Sequence, residues 1–265
     1  MPQLSETDRQ EVLATAAAMA DAARVATLAH FRSAALRAET KETDRFDPVT
    51  VADRLSEDRM LDALSARRPQ DAVRGEERGA RVGTSGLTWH LDPIDGTRAY
   101  LCGAPTWGVL IAVADESGPI YGLIDQPFIG ERFEGGLGRS CVTGPMGRRA
   151  LGCRNARSLD QAILLSTFPE VGTEAEGAAF RRVAAHVRLT RYGMDCYGYA
   201  LLAAGQVDLV IEAGLQSYDV MAPIAVIEAA GGIMTDWQGR PVHEGGQVIA
   251  AANAQVHAAA MALLA

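Results

Sequence analysis

The sequence predicts an α+β part joined to an α/β part, and two observations predict it. A helical opening quarter gives way to several short strand-like runs in succession, and beyond about residue 150 strands and helices alternate. The chain has 265 residues, 48% of them hydrophobic and 22% charged, which is a globular composition able to bury a sizeable core.

In chain order, residues 5 to about 38 open on Ser5-Glu6-Thr7-Asp8, which is capping chemistry. They continue with Leu13, Ala16, Ala17, Ala20, Ala23, Ala26 and Leu28 at near-helical spacing, so one long helix or two joined helices are expected. KETDRFDPVT has no apolar period and contains Asp-Pro, which marks a loop. Val51 to Ala66 resumes the helical spacing through Ala52, Leu55, Met60, Leu61 and Leu64. A short segment then leads to a glycine and two glutamates in AVRGEERGARVG. LTWHL, GVLIAVAD, PIYGLID and ERFEGGLG are separated by turn residues, as in an antiparallel meander.

The second part starts with AILLSTF as a buried strand, followed by a helix over Ala178 to Arg188. YGMDCYGYALLAAG reads as a second helix ending on Gly205, and VDLVIEAG as a strand. DVMAPIAVIEAAGG is a helix, GIMTDW and VIAAA are strands, and NAQVHAAAMALLA is a closing helix. The boundary between the parts, 1–148 and 149–265, falls at Arg148-Arg149.

A formal net charge of −8 argues against nucleic acid or an anionic membrane as partner. It suits an anionic substrate only if cations neutralise part of the acidic set. Cys102, Cys141, Cys153 and Cys196 form no C-x-x-C pair, so buried free thiols in a reducing cytosol are expected. The acidic, polar N-terminus lacks the order of a secretory signal. Asp21 and Arg24 interrupt the Ala-rich run, which argues against a membrane span and makes cytoplasmic the economical location.

Four acidic stretches remain: DPVTVAD (47–53), GEE (75–77), DPIDGT (92–97) and YD (218–219). Taken singly, Asp53 reads as a solvated helix residue, Glu76 and Glu77 as a surface pair, and Asp219 as a helix N-cap. Together they read as hard-cation chemistry. In DPIDGT, Pro93 fixes its own φ and Gly96 permits close approach of a ligand. The tight spacing can bring Asp92 and Asp95 to one side with the Ile94 carbonyl between them. Carboxylate and carbonyl oxygens suit Mg²⁺, and no Cys/His cluster suits zinc. Gly96 and Thr97 open the following segment with N–H groups that could receive a phosphate oxygen.

These four motifs, in this order, resemble the inositol-monophosphatase-like family of metal-dependent, lithium-sensitive phosphatases, over nearly the whole chain. The resemblance implies a layered αβαβα sandwich with two mixed β-sheets, of the inositol monophosphatase and fructose-1,6-bisphosphatase type. It implies one Mg²⁺ on Glu76, Asp92 and the Ile94 carbonyl, a second on Asp92, Asp95 and Asp219, and a weaker third on Glu76 and water. It also implies direct hydrolysis by a metal-activated water with no phosphoenzyme. Thr97 and Asp53 would orient and deprotonate that water, with Glu76 part of the catalytic set, and the Gly96 and Thr97 amides would seat the phosphate. A homodimer is implied as well.

The longer context resembles the histidinol-phosphate phosphatase branch more than the inositol branch. GTRAYLCGAPTWGVLIAV, GLIDQPFIGERFEG and YGMDCYGYALLAAGQVDLVIEAGLQSYD carry this. Gly193-Met194-Asp195 stands where the inositol branch has a small-residue turn, and Tyr218 where Trp is usual. The expected activity is hydrolysis of L-histidinol phosphate in histidine biosynthesis, with Asp195 and Glu212 receiving the two cationic groups of histidinol. The bland alternative for Asp195 is a helix cap. Arg98 could meet the phosphate or pair with an acid; His90 reads as a packed core histidine. Glu131-Arg132 could reach a neighbouring subunit's substrate, and His30, His186, His243 and His257 have no usable partner spacing. The competing activities are hydrolysis of inositol 1-phosphate or of a range of sugar phosphates. A catalytically silent metal- and phosphate-binding protein is disfavoured by the complete set of carboxylates.

Overall fold

A computed structural model describes residues 4–34, 36–40 and 48–265. Helix α1 (Glu6–His30) is capped by the Ser5 hydroxyl, which accepts the Asp8 N–H. A two-stranded ladder of β1 (Ala38–Thr40) and β2 (Pro48–Thr50) precedes α2 (Val51–Arg67). Asp47, the first residue of DPVTVAD, and most of the expected loop lie outside the described residues.

The large sheet contains β3 (Ala72–Gly75), β4 (Gly79–Arg81) and β5 (Thr88–Asp95), the last leading into the short α3 (Thr97–Cys102). It continues with β6 (Gly108–Asp115), β7 (Gly118–Gln126), β8 (Glu131–Gly136), β9 (Arg139–Gly144) and β10 (Gly147–Ala150). Strand order is β10-β9-β8-β7-β6-β5-β3-β4, antiparallel except for the parallel β3–β5 pair. The small sheet holds β11 (Ile163–Ser166), β12 (Leu189–Tyr192), β13 (Leu209–Gln216), β14 (Ile233–Thr235) and β15 (Gly245–Ala251). Its order is β12-β11-β13-β15-β14, and it is also mixed. The remaining helices are α4 (Glu174–Ala184), α5 (Asp195–Ala203), α6 (Ser217–Ala229) and α7 (Ala254–Leu264).

The layers follow from three apolar clusters. Val12, Ala16 and Met19 of α1 and Met60 and Leu64 of α2 pack on Trp89, Val109 and Ile111 of the large sheet. The opposite face, through Leu110 and Ile124, meets α5 and α6, which in turn cover Val210 and Val248 of the small sheet. Phe180 of α4 and Val256 of α7 close the far side against Leu209 and Ile249. The result is an αβαβα sandwich. The sequence boundary at 148/149 falls inside β10, and one cluster joins the two sheets across it.

Several elements differ from expectation for tertiary reasons. α1 stops at His30 instead of continuing toward residue 38, because the Phe31 ring packs against Tyr100 and Trp107. Arg32 follows at φ +58 and its guanidinium donates to the Gly103 carbonyl. α4 starts at Glu174, four residues before the expected Ala178, because Thr173 and Glu176 form a capping box, and it ends at Ala184. Strand β5 does not stop at Leu91 but runs through the DPID segment. Cys141 and Cys196 are buried free thiols as expected, Cys153 is half-buried, and Cys102 is exposed. α1 is long and apolar enough by length and composition to cross a membrane, yet its apolar face is spent on the core. Its Arg24 donates to buried Asp125 at 2.7 and 3.1 Å.

Candidate active site

The centre of the site is an irregularity in β5. Asp92 pairs with Leu110 and Asp95 with Gly108, so three steps on β5 oppose two on β6. That bulge re-aims the DPID carboxylates toward the C-terminal half of the chain. Asp92 is fixed by the Ile94 N–H, which donates to it at 2.9 Å. Asp95 accepts the Cys196 N–H at 2.6 Å and so caps α5. Asp219 accepts the Gln216 N–H at 2.7 Å, in a capping box at the start of α6. Each aspartate is thus oriented by one backbone N–H, and the three donors come from different elements. A carboxylate oxygen from each of the three lies within 4.8 Å of the other two.

Burial and mutual repulsion dominate the electrostatics. Burial pushes Asp92 well above the ordinary carboxylate range, and the charges of Glu76, Asp95 and Asp219 push it further. Asp95 is raised in the same way, by burial first and then by Asp219 and Asp195. Burial raises Asp219 to about 7, against the opposing effect of the Gln216 N–H. Glu76, in the turn after β3, shares a hydrogen bond with Asp92. Such a cluster of oxygen donors, held by backbone and short of positive charge, fits a hard divalent cation.

Asp53 stands beside this cluster. Its Oδ2 accepts the Thr50 N–H at 2.8 Å and the Thr50 hydroxyl at 2.6 Å, forming the capping box of α2. Its Oδ1 lies 3.3 Å from the Thr97 hydroxyl, which also lies 3.2 Å from the Ile94 carbonyl. Asp53 is therefore a buried group and not the solvated helix residue that its position alone suggests. Burial raises its pKa to about 6, with Glu76 and Glu77 adding to the rise and the Thr50 hydrogen bonds opposing it.

An open cavity of about 570 Å³ extends from Asp95, Thr97 and Asp219 to Asp195 and Glu212. Asp195 does not cap α5, since the Cys196 N–H is taken by Asp95. Asp195 instead holds φ +45 and accepts the Thr106 hydroxyl at 2.9 Å. It rests directly on Gly96, where a Cβ would fall 2.8 Å from its Cβ and Cγ. Gly96 is at φ +84, so both its conformation and its neighbour require glycine. Glu212 is buried and accepts the Thr167 N–H at 2.8 Å, the Thr167 hydroxyl, and the Tyr199 hydroxyl at 2.8 Å.

Comparison with known proteins agrees with this architecture. The model of the inositol monophosphatase family matches residues 8–265. The chain belongs to the inositol monophosphatase family. It is 38% identical to the chloroplastic bifunctional phosphatase IMPL2 of Arabidopsis thaliana, over 98% of this chain and 76% of that protein. It is 35% identical to a histidinol-phosphatase of Streptomyces coelicolor, over 94% of this chain and 95% of the relative. A solved inositol monophosphatase from Zymomonas mobilis superposes with a TM-score of 0.84 at 35% identity, covering 96% of this chain and 98% of that one. This inositol monophosphatase family member is therefore a phosphatase for small phosphomonoesters, of a metal-dependent family. Overall identity does not divide the two substrate classes, which are matched at the same 35%.

Within this family member the structure brings together Asp53, Glu76, Asp92, Ile94, Asp95, Gly96, Thr97, Asp195, Glu212 and Asp219. Arg98 lines the same cavity, where its guanidinium lies 4.9 Å from the centre of the Phe168 ring. His90 is buried, with Nδ1 3.3 Å from the Ser217 hydroxyl, and burial lowers its pKa to about 4. Glu131 and Arg132 are engaged within the chain: Tyr197 donates to Glu131 at 2.6 Å, and Arg132 bonds Asp125 and Asp21. Sequence reasoning missed Phe168, because β11 ends at Ser166 and the ring sits 44% exposed at the cavity mouth. It also missed Glu57, whose only signal is its four-residue spacing from Asp53 on α2.

Proposed function

We propose that this phosphatase hydrolyses L-histidinol phosphate, with two Mg²⁺ ions and a weaker third, as a cytoplasmic homodimer. In this reading Glu76, Asp92 and the Ile94 carbonyl hold one ion, and Asp92, Asp95 and Asp219 the other. Bound Mg²⁺ would neutralise charge on the phosphate and acidify a water. The Thr97 hydroxyl, between Asp53 and the Ile94 carbonyl, orients the attacking water, and Asp53 accepts its proton through Thr97. The Gly96 and Thr97 amides open the first turn of α3, where N–H groups have no helical partner, and receive phosphate oxygens.

The observation that carries the substrate is Asp195. Its carboxylate lines the cavity and lies against Gly96, beside the proposed phosphate seat. A left-handed conformation at a non-glycine residue costs free energy, so its retention beside a binding cavity points to use. Burial raises the pKa of Asp195 and of Glu212, and a cationic ligand would relieve both. Histidinol offers an ammonium and an imidazole; inositol offers only hydroxyls and gains little from a further buried acid.

Phosphate release with Mg²⁺ from histidinol phosphate, inositol 1-phosphate and a simple phosphomonoester tests this reading. The wild type should prefer histidinol phosphate. Asp195→Ala should lower kcat/KM on it by about 10- to 100-fold, the scale of one charge-assisted hydrogen bond, and alter the simple ester less than about threefold. A preference for the inositol ester, or equal losses on both esters, would refute the assignment and favour the inositol or sugar-phosphate reading.

A further inference from the structure

Helix α2 carries a second buried acid one turn beyond Asp53. Glu57 is 0% exposed, yet no cationic side chain meets its carboxylate among the described residues. Its two oxygens accept backbone N–H groups instead: Glu77 donates at 2.7 Å to one and Arg78 at 2.9 Å to the other. Gly75 is pressed against the same carboxylate, where a Cβ would fall 1.9 Å from Oε1. The two residues after Glu76 are thus hydrogen-bonded to Glu57, and the residue before it packs against the same carboxylate. From the opposite side the Glu76 N–H donates to the Leu91 carbonyl at 3.2 Å, one residue before Asp92. Outside the turn, the Arg78 guanidinium pairs with Asp58.

This arrangement opposes the ordinary preferences of a core. Burial raises the pKa of Glu57, and the charges of Glu77 and Glu76 raise it further, while its two N–H bonds offset only part of this. An apolar residue would pack there with less penalty, but it could not bind two backbone donors of a turn that must hold one exact path.

We propose that Glu57 is a positioning residue that fixes the β3–β4 turn so that the Glu76 carboxylate stands against Asp92, and thereby sets the affinity of the Mg²⁺ subsite that depends on Glu76. The inference rests on the proposed role of Glu76 as a ligand. Asp53 and Glu57, four residues apart on one helix, then register two separate ligand-bearing segments: Asp53 the Ile94–Thr97 bend and Glu57 the Glu76 turn. The Asp92, Asp95 and Asp219 set is held by its own backbone donors and does not depend on Glu57.

The test is a calorimetric Mg²⁺ titration of metal-stripped wild type, Glu57→Gln, Glu57→Ala and Glu76→Gln, with folding checked by near-ultraviolet circular dichroism. Glu57→Gln and Glu76→Gln should weaken the same binding step by about tenfold or more, the usual scale for losing the partner that orients a metal ligand, and leave the step on Asp92, Asp95 and Asp219 within about twofold. The shift should be larger in Glu57→Ala, since glutamine keeps one acceptor oxygen. Gly75→Ala, which crowds the carboxylate from the other side, should move that same step. If folded Glu57→Gln binds Mg²⁺ as the wild type does, or loses all steps together, the positioning role is wrong. An unchanged titration in Glu76→Gln would instead remove Glu76 from the ligand set, and the inference with it.

Discussion

Asp53 shows how much one residue's environment decides. Its position on the first turn of α2 suits a solvated acid, but the Thr50 capping box and the Thr97 hydroxyl enclose it. Burial places its pKa near 6, close to where a general base is most useful. Below about pH 6 the carboxyl of the metal-free chain holds a proton and cannot take one from water. Bound Mg²⁺ offsets the Glu76 charge and favours the Asp53 carboxylate, so the rate of the Mg²⁺-loaded enzyme should fall on the acid side, with its limb at or below that metal-free value. Asp53→Asn keeps an oxygen for the Thr50 N–H, so the helix start should survive. It should lower kcat by about 10²- to 10⁴-fold, leave Mg²⁺ binding nearly unchanged and flatten the acid limb. Asparagine retaining more than a tenth of the wild-type kcat, with the acid limb intact, would exclude Asp53 as the base.

At the scale of elements, α6 is the piece whose seating matters most, because it starts two residues before Asp219 and packs across the large sheet. The sheet admits it through glycines. A Cβ on Gly135 of β8 would lie 2.4 Å from the Ala225 carbonyl oxygen and from the Val226 Cα. Gly135→Ala should push the helix outward, lower stability by about 1–3 kcal/mol as overpacking does, and weaken Mg²⁺ binding through Asp219. A thermal melt and a Mg²⁺ titration would check both; a lowered melting temperature with intact Mg²⁺ affinity would show that α6 tilts about its N-terminus instead of moving as a body. The same distinction between local pattern and neighbour explains what the sequence revealed. α2 was legible from the helical spacing of Ala52, Leu55, Met60, Leu61 and Leu64, and β6 and β7 from short apolar runs bounded by turn residues. Strands β4 and β10 are exposed at every position, so they carry no apolar period to read. The acids of the candidate site were legible because DPIDGT and YD are local motifs. What orients them was not, since Asp95 takes its donor from Cys196, 101 residues away. Glu57 and Phe168 escaped for the same reason: their roles exist only through neighbours the fold supplies.

Over the whole molecule, the acidic centre makes stability depend on pH and Mg²⁺ in opposite senses. Asp53, Asp92, Asp95 and Asp219 all have pKa values raised by folding, to about 6 for Asp53 and about 7 for Asp219. Between the ordinary carboxylate range near pH 4 and these raised values, the folded chain holds more protons than the unfolded one. Stability must therefore fall as pH rises through this window. His90 and His257 oppose the trend, since burial lowers both, His90 to about 4, and makes the unfolded chain the better proton binder there up to about 6.5, but two histidines stand against several carboxylates. Metal-stripped protein should accordingly melt at a higher temperature at pH 5.5 than at pH 7.5. Mg²⁺ should reverse the order: it competes with protons for the same oxygens, so its stabilising shift should be larger at pH 7.5, where about 2.7 kcal/mol is expected at a hundredfold excess over Kd for a single ion. Asp95→Asn separates the two effects. Removing one charge from the cluster should raise the melting temperature of the metal-free protein at pH 7.5 while shrinking the Mg²⁺ shift, because the repulsion that weakens the empty fold is the same charge density that draws the cation. A metal-free melting temperature that stays flat or climbs between pH 5.5 and 7.5 would mean that these carboxylates are not charged against one another, and would undercut the cation site itself.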